Sequence, residues 1–383
     1  MRPRLAPALS VLAGLLLLSG CSTIDSLNPF VSKGPKMAEL TPFKASVETR
    51  AVWRENVGKS DVYAFTPAIV GNAVYAASRD GTIARFEDGK RVWRIDAGQP
   101  LSGGVGADAR LLVVGTPKGE VIAFDPADGK RVWSARASSE VLAPPAVGGG
   151  LVVVRSGDNR LIAYDALDGK RKWTFQRPMP ALALRATAAP LIDNNVVVSG
   201  FPGGKVIAVN AGNGVQLWEG TVALPKGSTE LDRVSDVTSQ PVVAGRLLCA
   251  VAFQGKVACF DISSGNTVWS RDMSSAVGLT LEGRHLYVTD DKGAVYALDI
   301  ASGASIWKQD KLLNRGVGAP VARRNLLAVA DVQGYVHFLN RDDGAFVGRL
   351  STDGTPVVAP LQLLDNRVLV QTSGGSVLAI EAQ

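Results

Sequence analysis

Gly89-Lys90-Arg91-Val92-Trp93, Gly129-Lys130-Arg131-Val132-Trp133 and Gly169-Lys170-Arg171-Lys172-Trp173 repeat one phrase: a glycine, three residues, a tryptophan. Gly214 to Trp218, Gly265 to Trp269 and Gly303 to Trp307 continue it, and Trp53 keeps the Val-Trp ending without the glycine. All seven tryptophans are thereby used, at spacings of 40, 40, 40, 45, 51 and 38 residues. A second phrase opens on glycine (asparagine at Asn159), continues through an aliphatic residue and an apolar run, and closes on Asp, Asn or Glu. It occurs eight times, from Gly81-Thr82-Ile83 to Gly375-Ser376-Val377. A recurrence near forty residues marks a repeat architecture, in which each unit is one supersecondary element stacked on the next.

Within each unit the apolar residues come in short runs, such as Leu111-Leu112-Val113-Val114 and Val121-Ile122-Ala123-Phe124, bounded by Gly, Asp, Asn or Pro. Runs of this length and composition read as strands. Arg79-Asp80-Gly81 and Asp291-Lys292-Gly293 fit three-residue hairpin loops, with glycine supplying the left-handed conformation. Four strands in about forty residues predict a propeller blade, and no segment shows helical periodicity over three turns. The eighth copy of the second phrase ends at Glu381 and lacks an outermost strand, while residues 45–53 form an orphan copy of one. Pairing the two closes the ring and removes a free sheet edge. The predicted fold is therefore all-β, an eight-bladed β-propeller of four-stranded antiparallel blades, closed by an N-terminal strand. The tryptophans are expected to fill space between blades, with each indole N–H satisfied locally. Gly344-Ala345-Phe346-Val347-Gly348 leaves one unit without its wedge.

Hydrophobic residues make up 46% of the 383 residues, charged residues 20%, and there are 41 glycines, the composition of a folded, turn-rich domain. Arg2 and Arg4 precede an apolar stretch, Val11 to Leu18, that is too short to span a membrane and fits a secretory signal. Leu18-Ser19-Gly20-Cys21 resembles the bacterial lipobox, which implies that Cys21 becomes the acylated first residue; a plain signal peptide with a chance cysteine is the alternative. Ser22 in place of Asp implies sorting to the outer membrane, facing the periplasm. The expected organisation is a lipoprotein signal peptide over 1–20, a lipidated tether over 21–44 and the propeller over 45–383. Without Arg2 and Arg4 the chain has 39 basic and 35 acidic residues. That near balance argues against nucleic acid as a partner.

Catalytic patterns are missing from the sequence. His285 and His337 lie in different units without a Cys or carboxylate cluster at metal spacing, and His337 reads as a satisfied interior histidine. No Gly-x-Ser-x-Gly elbow, phosphate loop or CxxC pair occurs. Counting outward from the loop Phe253-Gln254-Gly255 places Cys249 opposite Cys259, which allows a disulfide in an oxidising compartment. Directly opposed strand pairs are often poorly shaped for that bond, so two buried free thiols are the expected state.

Ala123, Asp125, Gly129 and Trp133, and again Ala163, Asp165, Gly169 and Trp173, resemble the repeat of quinoprotein alcohol dehydrogenases. That family is also an eight-bladed ring, so the resemblance supports the fold. Its enzymes use a quinone, calcium and an adjacent cysteine pair, and no two cysteines are adjacent here. A quinone-dependent periplasmic dehydrogenase and a general periplasmic binding propeller stand as the alternatives to a scaffold.

In a ring of near-identical units, function is expected where the repeat departs from itself. Two consecutive units are longer than forty residues, and in both the excess falls between the tryptophan and the next blade. The first connection contains Arg177-Pro178-Met179-Pro180-Ala181-Leu182-Ala183-Leu184-Arg185; the second contains Gly227-Ser228-Thr229-Glu230-Leu231-Asp232-Arg233-Val234-Ser235-Asp236-Val237. Together with the lipobox and the quinoprotein-like repeats, these loops resemble the BamB family, lipoprotein subunits of the β-barrel assembly (BAM) machinery. The resemblance implies a non-enzymatic scaffold without cofactor or metal that binds the periplasmic POTRA domains of BamA and assists insertion of outer-membrane proteins. Carried over by motif, its contact residues are Leu182, Leu184, Arg185 and Asp236, and Thr238 stands where the family pattern has a further acid. Nascent outer-membrane strands could also pair with blade edges, although no residue selects that option.

Overall fold

The computed structural model describes residues 35–178, 180–185 and 187–383. The expected signal peptide, Cys21 and most of the expected tether lie outside the described residues. Pro35 to Met37 belong to a separate unit and carry no regular secondary structure.

Thirty-two strands, and no helix among the described residues, form eight four-stranded antiparallel sheets. Blade 1 consists of Ala68–Val70, Ala73–Ala77, Thr82–Glu87 and Lys90–Asp96, paired in that order. Blades 2 to 7 follow the same plan over 103–136, 146–175, 191–221, 242–272, 278–309 and 321–351. The two middle strands of each blade are buried on both faces, which is why they read as continuous apolar runs. The outermost strand alternates, as in Arg131–Arg136, where Trp133 is buried between exposed neighbours.

Blade 8 takes Gln362–Leu364, Arg367–Gln371 and Ser376–Ala382 from the end of the chain and Thr49–Asn56 from its beginning. The closing register pairs Thr49 with Ala382, Trp53 with Ala379 and Asn56 with Ser376. The predicted closure is therefore present, a few residues later in the chain than the 45–53 expected. The ring unit also begins earlier, at Ala38. Residues 38–47, mostly expected to be tether, pack along blade 7: Ala38 N–H donates to the Leu313 carbonyl at 2.9 Å, and Val47 N–H to that of Val347 at 3.1 Å. Phe43 stacks on Phe346, with the Arg349 guanidinium 4.9 Å from its ring centre.

The glycine and the tryptophan of the repeated phrase turn out to be two halves of one joint between blades. Six indole N–H groups donate to a backbone carbonyl in the next blade, as Trp133 does to Ala166 at 2.9 Å and Trp218 to Ile262 at 2.8 Å. The glycine of that next blade lies against the same indole: a Cβ on Gly265 would come 2.7 Å from the Trp218 ring, and its φ is +72°. Trp53 is the exception, with a buried Nε1 that has no partner. The turn it faces, Asp88-Gly89, is shorter than Asp125-Pro126-Ala127-Asp128-Gly129 and lacks the equivalent carbonyl. The tryptophan missing from blade 7 has a cause too. Gly348 occupies its position, and a Cβ there would come 2.7 Å from Thr49 Cγ2, where the N-terminal segment crosses into blade 8.

Cys249 and Cys259 face each other in blade 5 as counted, both fully buried. They are joined as a disulfide, against the expectation of free thiols. Their Cα atoms are only 4.1 Å apart, the close approach of a pair that does not exchange ladder hydrogen bonds, and this brings the sulfurs together.

Candidate partner-binding face

In such blades the connections between second and third strands, and those from each outermost strand to the next blade, emerge on one face of the ring. Both long connections lie there. The first of them borders a cavity of about 790 Å³ at the mouth of the central axis, lined among others by Asp61, Tyr63, Leu142, Arg185, Thr355 and Val358.

The connection between blades 3 and 4 presents Leu182, 47% exposed, and Arg185, also exposed, with Leu184 half-buried between them. Arg185 makes no hydrogen bond or ion pair among the described residues, so its guanidinium is available at the cavity wall. Leu231, 69% exposed, stands on the tip of the next connection. That tip is shaped by Thr229 and Asp232, each of whose side chains accepts the other's backbone N–H. Beyond Arg233 the same connection turns inward, and Val234, Ser235, Asp236, Val237 and Thr238 are all buried.

Asp236 thus departs from its expected place on an exposed loop: only 2% of its surface is accessible. One carboxylate oxygen accepts the Leu184 N–H at 2.6 Å and the other the Gly203 N–H at 3.1 Å, while its own carbonyl accepts the Phe253 N–H at 2.8 Å. One side chain thereby ties the two long connections and a hairpin loop of blade 4 into a single surface. An ionised acceptor bonded to backbone N–H groups is among the stronger hydrogen-bond arrangements. Thr238, at the position of a further acid in the family pattern, is buried and donates to the Ala276 carbonyl at 2.8 Å. The loops were legible as departures from the repeat; the inward role of Asp236 was not, because its partners are backbone groups that leave no sequence signal.

Blade 7 holds a buried polar cluster of its own. His337 is fully buried; its Nε2 lies 3.1 Å from Asp331 Oδ2, and its Nδ1 accepts from Arg349 Nε at 3.0 Å. Burial holds its pKa below the usual value, Arg349 and Arg315 push the same way, and Asp331 opposes them. No group of three or more metal-ligating side chains occurs among the described residues.

A family model described as outer membrane protein assembly factor BamB matches residues 79–309. The BamB of Bordetella pertussis is 45% identical over 97% of this chain and 96% of its own length. The chain belongs to the BamB family. The crystal structure of BamB from Moraxella catarrhalis superposes with a TM-score of 0.82 at 28% identity, covering 87% of this chain and all of that one. Quinohemoprotein alcohol dehydrogenase from Comamonas testosteroni shares the ring at a TM-score of 0.72 but only 13% identity, a likeness of fold alone. Membership in the BamB family makes this ring an assembly factor rather than a dehydrogenase.

Proposed function

We propose that this BamB-family chain is a lipid-anchored scaffold of the outer-membrane β-barrel assembly machinery that binds the POTRA domains of BamA through its long-loop face. The observation that carries this reading is the junction at Asp236, which fuses two long connections into one surface bearing Leu182 and Arg185 beside the axial cavity. Arginine is among the residues enriched at interface hot spots, and the exposed leucine beside it adds an apolar contact to its directional charge. Leu184 and Asp236 then act from within, setting the shape on which the anchor is displayed. A rigid ring of this kind orients a chain of domains without chemistry, and a lipid on Cys21 raises its effective concentration at the outer membrane.

Photo-cross-linking tests the reading. A photoreactive residue at position 182 should capture BamA in cells, while one at Val132, exposed on the outer wall of blade 2, should not. Equal capture from both positions, or none from 182, would remove the assignment. In parallel, Cys21→Ser should abolish palmitate labelling; a variant that still labels would contradict the anchor.

A further inference from the structure

Eight equivalent positions lie at or next to the ends of the second strands of the blades: Ala77, Gly115, Arg155, Gly200, Val251, Thr289, Ala330 and Gln371. Arg155 is the one charged residue among them. It is 4% exposed, lies 5.1 Å from the centre of the Phe201 ring and donates from Nη2 to Asn159 Oδ1 at 2.8 Å. Asn159 itself replaces the glycine that opens the second phrase in every other unit, so two departures from the repeat meet here.

The guanidinium is incompletely satisfied. Arg155 Nε is buried and has no hydrogen-bond partner, and no carboxylate lies within ion-pair distance among the described residues. Asp236 is a nearby opposite charge, but its two oxygens are taken by the N–H groups of Leu184 and Gly203. Glu140, which also lines the cavity described below, accepts from its neighbour Ser139. Buried cations are ordinarily paired, because desolvation without a partner is costly. The residue also lines a cavity of about 260 Å³ roofed by the 181–185 segment, with Leu142, Leu182 and Leu184 as apolar walls and Arg185 at the rim.

We propose that this cavity is a carboxylate-binding subsite, in which the Arg155 guanidinium receives an acidic side chain of the partner domain docked on the long-loop face. The planar fork of arginine matches a carboxylate, the leucine walls match the methylene stem that carries it, and the volume suits one side chain. Leu182 and Arg185 belong to both the exposed surface and this cavity, so a partner seated on the first reaches the second. The inference rests on the long-loop face being the partner surface.

Its test uses the full chain in detergent, labelled to resolve arginine Nε–H resonances, with the Arg155 signal assigned by its loss in Arg155→Met. Addition of the BamA POTRA region should shift that signal saturably, and Arg155→Met should weaken POTRA binding at least tenfold. Arg155→Lys, which retains charge but not the fork, should fall between. Sodium propionate serves as a free carboxylate. A shift with propionate but none with POTRA would overturn the partner assignment, and no shift with either would overturn the subsite. If POTRA binds normally to Arg155→Met but not to Arg185→Ala, the face stands and the subsite fails. If neither substitution matters, the face itself is wrong.

Discussion

Asp236 and Leu182 sit in consecutive long connections, yet they call for opposite experimental signatures. Removing the Asp236 carboxylate leaves the buried N–H groups of Leu184 and Gly203 without an acceptor. An unsatisfied buried group costs about 1–3 kcal/mol, so Asp236→Ala should lower the melting temperature as well as partner binding. Leu182 is half exposed and bonded to nothing that holds the ring, so Leu182→Ala should change stability by less than about 0.5 kcal/mol. Thermal melts of the two variants side by side separate the proposed positioning residue from the proposed contact residue. His337 gives a pH signature at the same scale. Its folded pKa lies below the unfolded value of about 6.5. The unfolded chain therefore takes up the proton first as pH falls. Stability contributed by the neutral imidazole is complete above the unfolded pKa and is lost as pH drops through it toward the folded value. Melting temperature should begin to decline as pH falls below about 6.5, before the ordinary carboxylates titrate, and His337→Gln should flatten that slope.

At the scale of the element, the glycine-tryptophan joint explains both the regularity of the repeat and its two exceptions. Trp218→Ala should cost about 3–5 kcal/mol, as for other large aromatic deletions. Gly265→Ala should also destabilise, since its Cβ would meet the same indole from the other side. Both are read by denaturant unfolding. The blades, their count, the hairpin loops and the cysteine register were legible because each is periodic or local in the sequence. What joins neighbouring blades was not. The acceptor for each of the six bonded indoles is a backbone carbonyl 31 to 44 residues away, and the space occupied by Thr49 beside Gly348 is set by a strand from the far end of the chain. The disulfide was missed for a related reason: opposition in register was readable, but the Cα separation that permits the bond depends on which ladder pair it is.

For the whole molecule, closure and function meet in the same ring. Deleting the chain up to residue 57 removes the Thr49–Asn56 strand and exposes the edge of Ser376–Ala382. Such an edge invites pairing with other chains, so the truncated protein should melt earlier and aggregate on heating, as followed by light scattering. An unchanged melt would contradict the role of that strand in stability. The intact ring then acts as a rigid platform on which the two long connections are held. The most direct measurement is the affinity of the Leu182→Ala, Arg185→Ala double variant for the BamA POTRA region, made alongside its thermal melt. Loss of a central hot spot commonly costs about 2 kcal/mol or more, so binding should weaken by at least about thirtyfold while the melting temperature stays within a degree or two of the parent. A double variant that melts normally and binds with parental affinity would contradict the assignment of the long-loop face as the partner surface.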